Sequence, residues 1–178
     1  MQQIWTVGVS VLMSALVTTP SSTPLAQFAV WPSQRAHVTP SHFSVASMHA
    51  RGTFEVKITP LPVDDYTDAT SLGRMTIDKQ FSGDMVGIGK GQMLTGMSSV
   101  KGSAAYAAIE RFTGTLDGKH GTFVLQHTGI MTRGTQSLVV TIVPDSGTEE
   151  LAGISGTLAI IIEGKQHLYD LEYTFAAH

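Results

Sequence analysis

From Gly52 onward the chain alternates apolar and polar positions in short runs separated by turn residues. In GTFEVKIT (Gly52 to Thr59), Phe54, Val56 and Ile58 share one face and Glu55 and Lys57 the other. That period of two predicts a half-buried strand. GRMTIDKQFSG (Gly73 to Gly83) alternates again, with Met75, Ile77 and Phe81 on one side; the intervening PLPVDDYTDATS reads as a loop broken by proline and aspartate. DMVGIGKGQMLTGMSS is rich in glycine and predicts a weak, bulged or twisted strand pair. SAAYAAIERFTGTL (Ser103 to Leu116) has helix-forming alanines, yet it runs into Asp117-Gly118 and a second apolar run, a strong hairpin signal. HGTFVLQHTGIM, a turn at Arg133-Gly134, the β-branched SLVVTIV, the loop PDSGTEELAG and a last hairpin complete the chain. That hairpin joins ISGTLAIIIEG to HLYDLEYTF across Gly164-Lys165, where glycine suits the first position of a type II′ turn. About eight antiparallel strands without a convincing helix predict a sandwich or an up-and-down barrel. A closed barrel of eight strands has no edges and leaves room for side chains or one small ligand.

Turn length fixes which residues face each other. If Asp117-Gly118 is a two-residue turn, Leu116 pairs with Lys119, Phe112 with Phe123, Glu110 with Leu125 and Ala108 with His127. Tyr106, Glu110 and His127 then share a face, with His127 diagonal to both of the others and within side-chain reach. A three-residue turn would exchange the faces. Across Gly164-Lys165, Ile162 pairs with His167, Ile160 with Tyr169, Leu158 with Leu171 and Gly156 with Tyr173. The opposite face carries Glu163, Gln166, Asp170 and Glu172 and must meet solvent. The expected interior is apolar with polar tips at Tyr106, Glu110, His127, Tyr169 and Tyr173, and His167 sits near a barrel mouth.

Charge narrows the partners. The 178 residues carry a net charge of −3, so no basic field attracts nucleic acid, and no Lys/Arg run forms a polybasic membrane patch. The absence of cysteine removes disulfides, thiolate chemistry and cysteine zinc sites. Residues 1–47 differ from the rest and read as an irregular N-terminal extension. Ile4 to Val17 is uncharged and apolar, too short for a stable membrane span but long enough for a signal-peptide core. Against a signal, the first positive side chain is Arg35, and cleavage after Ala26 would put Pro24 at −3. The competing expectation is that translation starts at Met48. A Met48 start implies a cytoplasmic protein; a signal over residues 1–26 implies export.

KGSAAYAAIERFTGTLDGKHGTFVLQHTG, VPDSGTEELAGISG and GKQHLYDLEYTF resemble, in order, motifs of a bacterial domain-of-unknown-function family (number three-two-two-four). The resemblance runs from about Arg51 to the C-terminus. That family is grouped with the allene oxide cyclase-like barrels, so the resemblance implies an all-β fold: an eight-stranded antiparallel barrel, allene oxide cyclase-like or calycin-like, over residues 51–178. It also supports Met48 as the start and makes association into a homo-oligomer an expectation. One departure is Glu149, where the family loop usually has glycine; glutamate there implies a loop without backbone strain.

The chemistry is sparse. A carboxylate beside an imidazole, with a tyrosine hydroxyl near, is an acid–base set suited to a proton shift on a small apolar substrate, which makes His127 and Glu110 the best catalytic candidates. The plainer reading, and the favoured one, is a buried polar trio that satisfies itself and fixes register. Asp145 to Glu150 lacks the ligand spacing of a calcium loop and reads as a turn held by hydroxyl and Asx hydrogen bonds. No GxSxG elbow surrounds Ser146 or Gly153 to Gly156, which disfavours a serine hydrolase. GIGKG (Gly87 to Gly91) has neither the ending nor the following helix of a phosphate loop. His120, His167 and His178 have no metal spacing with His127, so neither a metal nor a cofactor is expected. The leading expectation is a barrel that binds a small lipophilic molecule in a pocket tipped by Tyr106, Glu110, His127, Tyr169 and Tyr173. A cofactor-free cyclase or isomerase, implied by the family grouping, is the alternative, and a structural or oligomerisation module with a filled core is a third.

Overall fold

The computed structural model describes residues 47–62, 66–67 and 70–176. The apolar run Ile4 to Val17, the cleavage position considered after Ala26 and His178 lie outside the described residues, and so does much of the expected PLPVDDYTDATS loop. Nine strands follow in order: β1 (Met48–Leu61), β2 (Tyr66–Thr67), β3 (Thr70–Gly83), β4 (Met85–Ser98), β5 (Ala104–Leu116), β6 (Lys119–Thr132), β7 (Thr135–Ile142), β8 (Ile154–Glu163) and β9 (Gln166–Phe175). Among the described residues the one helical element is a single 3-10 turn, Glu149–Leu151. Each strand from β3 to β9 pairs antiparallel with the next; β1 pairs with β9 on one side and β3 on the other. That double pairing of β1 closes an eight-stranded barrel, with the two-residue β2 appended to β3 beyond the end of β1. The alternatives of sandwich and barrel are thereby resolved to the barrel.

Both expected hairpin registers are present. Leu116 faces Lys119, Glu110 faces Leu125 and Ala108 faces His127. Asp117 and Gly118 both have positive φ, 46° and 78°, the signature of a type I′ turn. Gly156 faces Tyr173 and Ile162 faces His167. At Gly164-Lys165 only the glycine has positive φ, 63°, as a type II′ turn requires.

Three expectations need correction. β1 starts at Met48 rather than Gly52, because residues 48–51 find a ladder on β9, where Ala50 faces Leu171. The loop between β1 and β3 is shorter than expected, since β1 runs through Pro60 and Leu61. The glycine-rich segment is one continuous 14-residue strand rather than a bulged pair. It pairs without interruption to β3 and to β5. Met85 and Met93 on β4 are buried, so the alternation carries Gly87, Gly89 and Gly91 on the same inward side. The glycines there leave out side chains that would collide with the β5 backbone, Glu110 and Phe81.

The interior is packed unevenly along the axis. At the end carrying the Asp117-Gly118 turn, Phe81, Phe112, Phe123, Tyr169, Leu116, Met85 and Leu171 form a closed core. Phe81 meets Phe112 and Tyr169 edge-on, each with 5.6 Å between ring centroids, a favoured aromatic geometry. The β7–β8 loop covers this end. Beyond Leu125, β6 has no β7 partner, and the loop takes its place: Thr148 N donates to Thr122 O, Thr122 N to Thr148 Oγ1 and Val124 N to Ser146 Oγ. The hydroxyl-held turn expected over Asp145 to Glu150 is therefore present. β7 and β8 share a single register pair, Thr141 with Thr157, so the barrel wall is fastened there at one point.

Glu149 corrects a further expectation. Its φ is +54°, so the loop is strained at this position although the residue there is not glycine. The surrounding bonds impose the conformation: His120 N donates to Glu150 Oε2, and His120 Nδ1 lies 2.8 Å from Glu149 Oε2. Left-handed backbone costs a non-glycine residue about 1–2 kcal/mol. Glu149→Gly should therefore be more stable than Glu149→Ala by about 1 kcal/mol in urea denaturation, both lacking the exposed carboxylate. Equal midpoints would show the residue to be unstrained.

Candidate functional site

Away from the aromatic core the barrel is hollow. A cavity of about 430 Å³ opens toward the end that carries the β6–β7 and β8–β9 hairpins. Its wall is mainly apolar: Phe54, Val56 and Ile58 of β1, Ile77 of β3, Met93 of β4, Leu138 of β7, and Ile160 and Ile162 of β8. These are the inward positions of alternating strands. Near the mouth they stay accessible, and Ile162 is 60% exposed. His167 lines the mouth as expected, stacked on Phe54 with 5.1 Å between centroids.

Three ionisable groups meet at the inner end. Glu110 is fully buried, His127 is 3% exposed and Lys79 is 7% exposed. Lys79 Nζ donates to Glu110 Oε2 at 2.7 Å. His127 Nε2 lies 3.1 Å from the same oxygen, at ion-pair distance but without a directed hydrogen bond. Lys79 also sits over the Phe54 ring, 4.7 Å from its centroid. Burial pushes the Glu110 pKa up, but His127 and Lys79 together outweigh it and hold the carboxyl below its ordinary value. Glu110 is therefore an anion with a committed cation.

Lys79 was missed in the sequence, although its signal was there. Met75, Ile77 and Phe81 mark the inward face of β3, and Lys79 falls on it. Reaching Glu110 requires crossing β4, because Lys79 pairs with Gly89 and Gly91 pairs with Glu110. The glycines clear that path. A Cβ at Gly89 would lie 2.0 Å from Glu110 Oε1 and 3.0 Å from Phe81 Cε2.

The five expected pocket residues separate into two groups. Tyr106 and His127 line the cavity, and Glu110 lies directly behind them, bound to Lys79. Burial and the Glu110 charge push the Tyr106 pKa up to about 12, so its hydroxyl stays neutral. Tyr169 and Tyr173 do not line the cavity and are corrected to the packed end. Tyr169 receives a hydrogen bond from Met85 N at 2.7 Å and donates to Ser82 O. Tyr173 donates a short hydrogen bond to Asp117 Oδ2 at the closing turn. Both phenols are raised in pKa, first by burial, and both act as polar pins in the core.

A broader depression on the outer face of β3 to β6 is lined by Asp78, Lys90 and Arg111 among others, with Lys90 paired to Asp78 at 2.6 Å. It is open sheet surface and encloses nothing. Among the described residues no group of three His, Asp or Glu side chains is placed to hold a metal ion, and no helix is long and apolar enough to cross a membrane.

These observations define a small antiparallel β-barrel, solid at one end and hollow at the other, with a buried lysine–glutamate pair flooring the hollow. The family model described as "Protein of unknown function (DUF3224)" matches residues 50–173, and the chain belongs to that family. A crystal structure of a protein with unknown function from the DUF3224 family, from Shewanella oneidensis MR-1, is similar to it. The two are 44% identical with a TM-score of 0.72, over 75% of this chain and 100% of that one. No curated protein matches the chain.

Proposed function

We propose that the protein binds one small, largely apolar molecule in the open half of its barrel. The observation that carries this reading is the cavity of about 430 Å³, which falls in the size range of small-molecule sites. Its apolar wall around a few convergent polar groups has the usual composition of such a site. A module with a wholly filled core would have continued the aromatic packing to both ends. The acid–base alternative has less support, because Glu110 is committed to Lys79 and holds its charge rather than trading a proton.

Protein purified from its own cells should carry an extra mass under native mass spectrometry, released by organic solvent. Stripped protein should brighten an aminonaphthalene probe. Val56→Trp fills the cavity from β1 and should abolish probe uptake while keeping the far-UV circular dichroism of the barrel. Uptake unchanged in Val56→Trp, or no uptake by the stripped wild type, would overturn the proposal.

A further inference from the structure

We infer that the ligand ends in an uncharged oxygen acceptor, a carbonyl above all, which lies against Lys79 and His127 at the floor of the cavity. This rests on the interior-binding reading and specifies its chemistry. An ammonium group carries three donor protons. Among the described residues a single acceptor, Glu110 Oε2, meets Lys79, and one side of the ammonium is covered by the Phe54 ring. His127 Nε2 is buried and makes no hydrogen bond. Both residues line the cavity. Glu110 Oε1 is also without a partner, but it lies against Gly89, and it is Lys79 and His127 that face the cavity; buried donors without partners are costly. A ligand oxygen gives them an acceptor.

Charge decides what kind of oxygen. Lys79 and Glu110 already cancel, so the floor offers an oriented dipole rather than a net positive field. A carboxylate would add another full charge to a desolvated site whose ammonium is already committed to Glu110. An ammonium end would meet Lys79 head-on. A carbonyl takes the donors without a further charge, and its alkyl part lies along Val56, Ile77, Met93 and Leu138.

The test is displacement of the aminonaphthalene probe from stripped wild-type protein by octane, 2-octanone, octanoate and octylamine. A hydrogen bond to a charged donor discriminates by about tenfold or more. The ketone should therefore displace the probe at least about tenfold more tightly than octane, and ahead of both ions. Its infrared carbonyl stretch should move to lower frequency on binding. Lys79→Met combined with Glu110→Leu leaves no unpaired charge and should erase both the ketone preference and the infrared shift. Ketone and octane binding equally would overturn this inference and leave interior binding standing. Octanoate or octylamine binding tightest would overturn it in the same way. No probe uptake at all would remove both readings. The wild-type series decides the matter even if the double variant fails to fold.

Discussion

Lys79→Met is expected to destabilise the barrel by about 3–5 kcal/mol, the cost of removing one partner of a buried ion pair. Glu110 has no exposure, so the charge that Lys79 leaves behind is unpaired in a desolvated site. The double replacement Lys79→Met with Glu110→Leu should recover most of the loss, because exchanging the whole pair for apolar groups is close to neutral. His127→Ala should cost less than Lys79→Met, since Lys79 still neutralises the carboxylate. Urea denaturation of the single and double variants checks this. A Lys79→Met loss below about 1 kcal/mol would place the pair in water and refute the geometry of the floor. The pH dependence has a fixed sign. The Glu110 pKa is lowered in the folded state from an ordinary value of 4.5. Its contribution is fully present above about pH 4.5 and is lost as pH falls through the lower folded value. The wild type should lose stability in acid more steeply than the charge-free double variant.

Gly89→Ala should cost about 2–3 kcal/mol, more than a methyl group in a strand normally does. The new Cβ would fall on Glu110 Oε1 and press on Phe81, so the carboxylate must leave its position beside Lys79 or the wall of β4 must move outward. Overpacking of this kind usually costs about 1–3 kcal/mol, and disturbing the ion pair adds to it. The clash is with a side chain rather than with backbone, which makes a cycle informative. With Glu110→Ala in place, the further cost of Gly89→Ala should shrink by at least about 1 kcal/mol. Strictly additive losses would mean that Gly89 serves strand geometry alone.

The registers at Asp117-Gly118 and Gly164-Lys165 were legible because a two-residue turn leaves the flanking strands a single way to pair. They correctly turned Glu110, His127, Tyr169 and Leu171 inward. What could not be read was position along the barrel axis. Strand stagger sets that, and stagger is a property of the closed sheet rather than of any one hairpin. Tyr169 and Tyr173 therefore looked like cavity residues but belong to the packed end. Lys79 shows the same limit from the other side. Its inward face was written in the alternation of β3, but its partner stands two strands away across a glycine-cleared wall. At Glu149 the local signal misled, because hydrogen bonds from β6 impose a backbone conformation that the residue itself disfavours.

The single Thr141–Thr157 bridge between β7 and β8 makes the barrel, in mechanical terms, a tube with a slit along one side. Gln136 and Leu138 on one lip and Ile160 and Ile162 on the other border the hollow directly. Backbone pairing across the lips is one pair rather than a ladder, whereas β7 with β6 and β8 with β9 form full ladders. Of all the seams in the barrel wall, this one therefore has the fewest paired residues to resist opening, and the tightly packed aromatic core holds the other end closed.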